Sequence, residues 1–425
     1  MATYALIIYG CQMNDYDGER LAAIMEAAGY EPVAGDDADV VIVYTCAVRQ
    51  SATARALGRI TELARVKAVN PAAVIAVGGC WPAVEAGVIK AACPHVDVTF
   101  GTERLEEVPA LVAAARGGRA PSLPAALAPR RRRWPRANVL IMTGCNNFCA
   151  YCVVPYARGR ERSRPAADIW REVEELVAAG FRDITLIGQN VNSYRAGGVS
   201  FAGLLAGADE RCEGAVLRFT TNHPRDLGAD VAAVMAGGRN LARHVHLPLQ
   251  SGSDRVLAAM NRGYDLARYE EAVAALRAAS PGVALTTDIL VGFPGETEED
   301  FRATVAAVER VGFDGAYTFI YSPRPGTAAG RRAETVDRPE KIRRLEAVAR
   351  RQREISRALN EAMVGREEKV LVEGRSAKNA GDFAGRLSEN KIVNCPGPAR
   401  VGDWVSVRIT GASVWGLRGE RTAAE

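Results

Sequence analysis

Cys145-Asn146-Asn147-Phe148-Cys149-Ala150-Tyr151-Cys152 sets three thiols at C-x3-C-x2-C spacing on one short stretch. The run before it, residues 138–142, is apolar and reads as a β-strand, so the thiols occupy a strand-end loop. Strand-like runs recur at residues 183–187, 216–219, 244–247, 284–291 and 315–321, with helix-like segments between them. Six such units are too few for a closed eight-stranded barrel. The spacing therefore predicts an α/β core over residues 134–335, an open or partial (β/α)6 barrel with its functional loops at the carboxyl ends of the strands.

Three thiolates on one loop can grip a metal centre, and soft thiolates select zinc or an iron-sulfur cluster. Structural zinc asks for a fourth Cys or His, and none lies within about twenty residues on either side. A four-iron cluster on three thiolates leaves one iron open to a substrate or cofactor. Chance clustering of small buried residues is the alternative. Upstream, residues 1–115 predict strands at 4–9, 40–45, 74–77 and 96–100 and helices at 14–28, 49–69 and 83–91, hence a three-layer domain on a parallel sheet. Ile8-Tyr9-Gly10-Cys11, Val43-Tyr44-Thr45-Cys46 and Val77-Gly78-Gly79-Cys80 each close a strand with a cysteine. In a parallel sheet all three emerge at the carboxyl edge, where open α/β sheets bind ligands. That placement predicts a second three-thiolate site; separate burial of each cysteine is the other reading. Cys93, Cys212 and Cys395 share neither spacing nor context and read as packing.

These nine cysteines belong to a chain of 425 residues with 48% hydrophobic and 24% charged residues, which excludes disorder and collagen and suggests about three domains. No apolar stretch reaches the roughly 18–20 residues that span a bilayer. Residues 1–9 run straight into a strand without a signal peptide, so a cytoplasmic, reducing setting with free thiols is expected. The net charge of +4 is a weak bias. Its distribution says more: Arg338, Lys341, Arg343, Arg344, Arg350, Arg351, Arg353 and Arg357 crowd one segment against only Glu340, Glu346 and Glu354. Such a segment is either a solvated helix face or a phosphate-tracking surface.

Residues 116–133, with three prolines and the run Arg130 to Arg133, read as a linker whose arginines are solvated. Residues 336–362 predict one long basic helix, and the short runs at 369–372, 392–394, 404–409 and 413–417 predict a small antiparallel β-barrel within residues 363–425. His95, His223, His244 and His246 lack metal-ligand spacing; His246 is the one near the functional edge, with a core or loop role as its default. The strand-end loops Gly188-Gln189-Asn190-Val191-Asn192, Thr220-Thr221-Asn222-His223-Pro224, Gln250-Ser251-Gly252-Ser253-Asp254 and Gly292-Phe293-Pro294-Gly295-Glu296 offer amides and backbone groups to a polar cofactor. Thr297 and Asp300 form a helix capping signal that partly explains the last loop. No phosphate-loop, G-x-S-x-G or H-E-x-x-H motif is present, so nucleotide hydrolysis, serine hydrolysis and zinc proteolysis have no support.

With these residues in view, the C-x3-C-x2-C loop after the first strand of a partial barrel resembles the radical S-adenosylmethionine superfamily. The three upstream strand-end cysteines narrow the resemblance to the methylthiotransferases. Gly10-Cys11-Gln12-Met13-Asn14, Tyr151-Cys152-Val153-Val154-Pro155-Tyr156 with Arg158-Gly159, the Gln189 loop, Leu247-Pro248-Leu249-Gln250-Ser251-Gly252-Ser253-Asp254 and Val291-Gly292-Phe293-Pro294-Gly295-Glu296 are similar to the MiaB-type tRNA methylthiotransferases, over nearly the whole chain. The C-terminal segment resembles that family's TRAM domain, a small RNA-binding barrel. Gly-Cys-Gln-Met-Asn differs from the segment usual in ribosomal-protein methylthiotransferases. Tyr44 stands where the family more often has Asn, and Asn222 where Ser is more usual.

The resemblance implies that Cys145, Cys149 and Cys152 hold a 4Fe-4S cluster whose open iron chelates S-adenosylmethionine, and that one electron yields a deoxyadenosyl radical. It implies that Cys11, Cys46 and Cys80 hold an auxiliary 4Fe-4S cluster supplying sulfur, with a second S-adenosylmethionine supplying methyl. Tyr151, Gln189, Gln250, Gly292 and Phe293 are the expected cofactor contacts. The implied substrate is the C2 position of N6-isopentenyladenosine at tRNA position 37, in an anticodon loop whose unpaired bases can be splayed while basic residues hold the phosphates. An electron donor such as a flavodoxin, a sulfur supplier, no membrane and a monomeric state complete the expectation. A methylthiotransferase for threonylcarbamoyladenosine tRNA or a ribosomal protein is the nearest rival, and a non-enzymatic iron-sulfur RNA-binding protein a more distant one.

Overall fold

The computed structural model describes residues 2–48, 50–119, 121–124, 127–377, 379 and 381–422. The chain parts into two compact units: residues 1–132 with 143–148 and 152–162, and residues 133–142 with 149–151 and 163–425.

In the first unit, five parallel strands run in the order Glu31–Pro32, Thr3–Ile8, Val40–Thr45, Val74–Gly79, Val98–Phe100. Val40–Thr45 and Val74–Gly79 are buried at every position, as apolar runs covered on both faces must be. Leu21, Ile24 and Met25 of the helix Gln12–Ala27, with Val108 and Val112 of Val108–Ala115, cover one face. Ile60 of Gln50–Glu62 and Ile89 of Cys80–Ala92 cover the other, giving the expected three layers. The helix expected over 49–69 is two, Gln50–Glu62 and Ala64–Val69; Arg49 lies outside the described residues. The third helix starts at Cys80 and not at 83. Gly79, at φ 105° and packed on the Thr45 backbone, turns the strand directly into it.

The linker is anchored to the first unit at several points. Leu123 and Leu127 pack on the sheet's helical face, Arg130 pairs with Glu26 at 2.7 Å, and Arg131 with buried Glu19 at 3.1 Å. Apolar anchors and carboxylates on the first helix pin what composition alone made look free. Ala120, Ala125 and Ala126 of this stretch lie outside the described residues.

In the second unit, Arg136–Leu140, Asp183–Ile187 and Val216–Phe219 form one parallel sheet, and His244–His246, Ala284–Val291 and Gly315–Ile320 a second. A parallel bridge, Leu217 to Leu241, joins them into a partial barrel of six strands. Leu285, Ile289 and Val291 point to the outer helices while Thr286 and Asp288 take the opposite face. The helix Arg338–Glu361 buries Lys341, Arg344, Val348, Gln352, Ser356 and Asn360, one stripe at helical spacing.

The C-terminal strands Glu367–Arg375, Asp382–Arg386, Ile392–Pro396, Trp404–Ser413 and Gly416–Arg421 close a barrel. Its Val393 to Leu417 pair is parallel, which corrects the purely antiparallel expectation. Five strands cannot alternate direction around a closed ring, so one pair must run the same way. The run expected at 413–417 is the end of one strand, a turn and the start of the last strand. Ala423, Ala424 and Glu425 lie outside the described residues. Among the described residues no helix is long and apolar enough to cross a membrane.

Candidate functional site

The parallel register aligns Ile8 with Tyr44 and Tyr44 with Gly78, so Cys11, Cys46 and Cys80 leave the sheet at one edge. A Cβ on Gly10 would come within 2.9 Å of the Cys46 Cβ, which places the first two cysteine turns against each other. The Cys46 thiol donates to Cys11, and this hydrogen bond, with further help from Arg158, lowers the Cys11 thiol to about 6. Its partner Cys46 is raised by the same pairing, and burial raises Cys80. The Val48 amide reaches the Cys46 sulfur at 3.4 Å, and the Arg158 guanidinium hydrogen-bonds Cys80. Converging thiols, N–H donors aimed at sulfur and a nearby cation fit an anionic iron-sulfur cluster.

Arg158 is itself built in. Its Nη2 donates to Asp17 at 2.7 Å and Asn14 at 3.3 Å, and the Tyr44 hydroxyl donates to the same Asp17 oxygen at 3.0 Å, all buried. Tyr44, the residue that departs from the family pattern, thus completes a Tyr44–Asp17–Arg158 chain beside Cys80.

The second set of thiols follows the short strand Met142–Thr143 and precedes the helix Val154–Arg158. Gly144 sits at φ 79°, where any Cβ would overlap the Arg160 carbonyl oxygen, and the Cys145 amide donates to the Gly159 carbonyl at 3.2 Å. Asn146 and Glu161 hold each other through backbone and side chain at 3.1–3.3 Å. Phe148, at φ 46°, lies under the Arg160 guanidinium at 4.5 Å. In the second unit, the Ala150 amide donates to the Met260 carbonyl at 2.8 Å, and the Arg262 guanidinium donates to the Cys149 sulfur at 3.3 Å. All three thiols are partly exposed, whereas Cys93, Cys212 and Cys395 are fully buried in cores. Among the described residues no three His, Cys, Asp or Glu side chains close on a point as around a single ion. A cluster keeps its thiolates farther apart than a lone ion does.

The remaining strand-end loops belong to the second unit. Thr221 and Gln250 adopt positive φ, 70° and 73°, a strained backbone that concentrates at ligand sites. The His223 Nδ1 accepts from the Arg225 amide at 3.3 Å, so its Nε2 carries the proton, and burial lowers this imidazole to about 2 and keeps it neutral. That Nε2 and the Oδ1 atoms of Asn190 and Asn222 are buried without a hydrogen-bond partner. One donor and two acceptors left without a hydrogen-bond partner suit a polar cofactor such as S-adenosylmethionine. Tyr151 accepts from Arg262 at 3.4 Å, and Gln250 bridges to the Ala284–Val291 strand through its backbone. Gly292 leaves room for the Lys341 side chain, and Phe293 is fully buried with Ala150, Val256 and Tyr321 beneath the cysteine loop. His246 accepts or donates with Thr286 at 3.1 Å and lies 3.6 Å from Asp288.

The basic helix divides by face. Lys341 pairs with Glu334, Arg343 with Glu298 and Glu340, Arg344 with buried Glu296 at 2.9 Å, and Arg351 with Glu309 and Glu354. These cations are held in ion pairs with carboxylates of the same unit, so neither a wholly solvated nor a wholly phosphate-tracking face describes the helix. Arg350, Arg353 and Arg357 line a cleft with Glu354, Glu361 and Val414, and Trp415, next in sequence to Val414, is 75% exposed.

Sequence reasoning did not single out Asn14, Asp17, Arg158 or Arg262. Asn14 and Arg158 do stand in the motifs Gly-Cys-Gln-Met-Asn and Tyr156 with Arg158-Gly159; Arg262 carries no local signal because its partners are brought in by the fold.

Residues 3–101 match the uncharacterized protein family UPF0004, residues 139–308 the radical SAM superfamily and residues 361–421 the TRAM domain. The chain is 44% identical over 436 residues to the tRNA-2-methylthio-N(6)-dimethylallyladenosine synthase of Moorella thermoacetica, with 98% of each chain covered. It is 43% identical over 431 residues to the protein of the same name from Syntrophomonas wolfei, covering 98% of this chain and 97% of the relative. The structure of the radical S-adenosylmethionine methyltransferase TsrM from Kitasatospora setae, with cobalamin and a 4Fe-4S cluster bound, shares its fold at TM-score 0.60 and 18% identity, covering 78% of this chain and 77% of that one. With six strand-end cysteines in place and this similarity running the length of the chain, the protein belongs to the family of tRNA-2-methylthio-N(6)-dimethylallyladenosine synthases within the radical S-adenosylmethionine superfamily.

Proposed function

We propose that this protein methylthiolates the C2 position of N6-isopentenyladenosine-37 in tRNA. The observation that carries the reading is the convergence of Cys11, Cys46 and Cys80 at one sheet edge, upstream of a three-cysteine loop on a partial barrel. When bound, two 4Fe-4S clusters and S-adenosylmethionine supply the electron, the hydrogen-abstracting radical, the sulfur and the methyl group. Cys145, Cys149 and Cys152 would hold the first cluster, and Cys11, Cys46 and Cys80 the second. The chain's own residues position and shield them. Gly144 and the Asn146–Glu161 clamp fix the loop, Phe293 supports it, and Arg158 with Val48 donates to the upstream sulfurs. Tyr151, Gln189 and Gln250 would orient the cofactor, together with Asn190, Asn222 and His223, whose polar atoms await partners; Gly292 and Phe293 contribute through the shape of their loop.

The C-terminal barrel and the Arg350, Arg353, Arg357 face of the basic helix would grip the anticodon stem-loop, with Trp415 as a surface for base stacking. A flavodoxin-type electron donor, an external sulfur supplier and a monomeric, cytoplasmic enzyme fit this reading.

The test is anaerobic reconstitution followed by mass spectrometry of tRNA nucleosides. Isopentenyladenosine tRNA should gain methylthio, whereas threonylcarbamoyladenosine tRNA and ribosomal protein should not. Cys145→Ala should abolish S-adenosylmethionine cleavage, and Cys11→Ala should spare cleavage while stopping sulfur insertion. Cleavage that survives the loss of Cys145 would overturn the division of labour between the two sites.

A further inference from the structure

Among the described residues four arginines are buried: Arg158, Arg218, Arg262 and Arg344. Three have a carboxylate at ion-pair distance: Asp17 at 2.7 Å, Asp183 at 2.9 Å and Glu296 at 2.9 Å. Arg262, only 4% exposed, has none among the described residues. Its Nη2 donates to the Pro248 carbonyl at 3.0 Å, its Nε to the Tyr264 hydroxyl at 3.1 Å, and its Nη1 to the Tyr151 hydroxyl at 3.4 Å and the Cys149 sulfur at 3.3 Å. None of these partners is a carboxylate, and only the cysteine sulfur could carry negative charge, as a metal-bound thiolate. A guanidinium cannot shed its proton, and a buried charge without a counter-charge is strongly unfavourable. The anion that Arg262 is built to meet must therefore arrive at Cys149.

We infer that Arg262 is a positioning residue for the radical-generating centre, an electrostatic counter-charge that makes the cluster on Cys145, Cys149 and Cys152 easier to reduce. The inference rests on the cluster reading proposed above and deepens it. A four-iron cluster on three thiolates is a net anion and becomes more so on taking up an electron, so a fixed cation hydrogen-bonded to a ligand sulfur favours the reduced form. The electron comes from the one-electron donor, flavodoxin in the cell or titanium(III) citrate in the assay. Arg262 sets how strong that donor must be. Its place is fixed by Asn261 at φ 57° and Gly263 at φ 67°, a tight turn closing the helix Asp254–Ala259, and by Tyr264, whose hydroxyl also donates to the Leu249 carbonyl at 2.8 Å.

The experiment uses the full chain with Cys11, Cys46 and Cys80 changed to Ala, so that one cluster remains, and compares Arg262→Met and Arg262→Lys with this background. Iron content, the spectroscopically monitored midpoint potential and S-adenosylmethionine cleavage are measured. In Arg262→Met the midpoint should move negative, each tenfold loss of reduced cluster at fixed donor potential corresponding to about 59 mV. Cleavage driven by reduced flavodoxin should fall much more than cleavage driven by titanium(III) citrate. Arg262→Lys, which keeps a charge, should shift less. In the iron-free chain Arg262→Met should melt no lower than its parent, because the counter-charge is absent there. An unchanged midpoint, or equal destabilisation of the iron-free and loaded forms, overturns the proposal. If Arg262→Met retains no iron, recovery of iron in Arg262→Lys supports the proposal and failure of both variants overturns it. Absence of iron from the background chain itself would instead refute the cluster assignment of Cys145, Cys149 and Cys152.

Discussion

Asp17 shows how much one buried side chain can carry. It accepts from Arg158 at 2.7 Å and from Tyr44 at 3.0 Å with both ends of the ion pair shielded from water. Asp17→Ala would strand the guanidinium, and breaking such a pair costs about 3–5 kcal/mol, whereas Tyr44→Phe removes one hydrogen bond at about 1 kcal/mol. Urea unfolding of the iron-free protein should show that order; equal effects would mean the pair is not shielded. His244 makes a second residue-scale case. Burial, aided by the positive charges of Arg218, His246 when protonated, Arg386 and Lys391, lowers its imidazole to about 3. The unfolded chain takes up this proton near pH 6.5 and the folded chain does not, so stability is full above that value and declines as pH falls toward 3. Between pH 7.5 and 5 the wild type should lose about 2 kcal/mol more than His244→Gln; parallel losses would place the histidine in contact with water. The strand-end placement of the six cysteines proposed as cluster ligands was legible in the sequence, because residue type and the end of an apolar run suffice to expose it. Asp17, Arg158 and Arg262 were not, since each gains its role from partners far away in the chain.

Elements were legible where one period dominates. Val40–Thr45, Asp183–Ile187, Val216–Phe219 and Ala284–Val291 lie where alternating or continuous apolar runs put them. Thr297 and Asp300 form the capping box that opens the helix Glu298–Val311, and Asp300 also accepts from Ser253 at 2.6 Å, tying two strand-end loops together. The strand Asp382–Arg386 escaped notice because Gly385 interrupts its apolar pattern. A Cβ there would collide with Val370 and the Leu371 carbonyl, so barrel closure demands the glycine that hides the strand. The helix Arg338–Glu361 is legible in extent but not in orientation: the sequence lists eight cations between 338 and 357, and only folding separates paired from free ones. Replacing Arg350, Arg353 and Arg357 by Ala should weaken tRNA binding and reduce its salt dependence by about one unit of slope per lost phosphate contact. The melting temperature should hold. Arg344→Ala should do the reverse, lowering stability because Glu296 is left buried and unpaired. Filter binding across a salt series, with a melt of each variant, separates the two faces; an unaltered salt slope in the triple variant would remove this helix from the RNA surface.

At the scale of the second unit, the C-terminal barrel docks on the amino ends of the six-stranded barrel, the edge opposite to the polar strand-end loops. Arg218 donates to Asp183 at 2.9 Å and to the carbonyls of Leu387 and Ser388 at 2.9 and 3.0 Å. Lys391 pairs with Asp314 at 2.7 Å, and Arg243 pairs with Glu389, both partners lying at strand beginnings. Asn360 of the long helix donates to the Ser413 carbonyl at 2.8 Å and accepts from Lys391 at 2.8 Å. Fixed polar contacts of this kind tie the two barrels into one body, so that under the proposed function an RNA gripped by the small barrel would be presented in a constant geometry. Sequence composition marked the barrel as a separate domain and was silent on this docking, because carbonyl acceptors leave no signature in residue types. All three side-chain nitrogens of Arg218 are used, two of them across the seam, and its loss would leave Asp183 buried without a cation, at a cost of about 3–5 kcal/mol. Calorimetry should therefore show the two barrels of the wild type melting in one transition. In Arg218→Ala the small barrel should melt first, as a separate and cooler transition, with tRNA affinity reduced less than the rate of methylthiolation. A single transition retained in that variant would mean that the remaining pairs alone hold the seam, and that rigid presentation does not depend on Arg218.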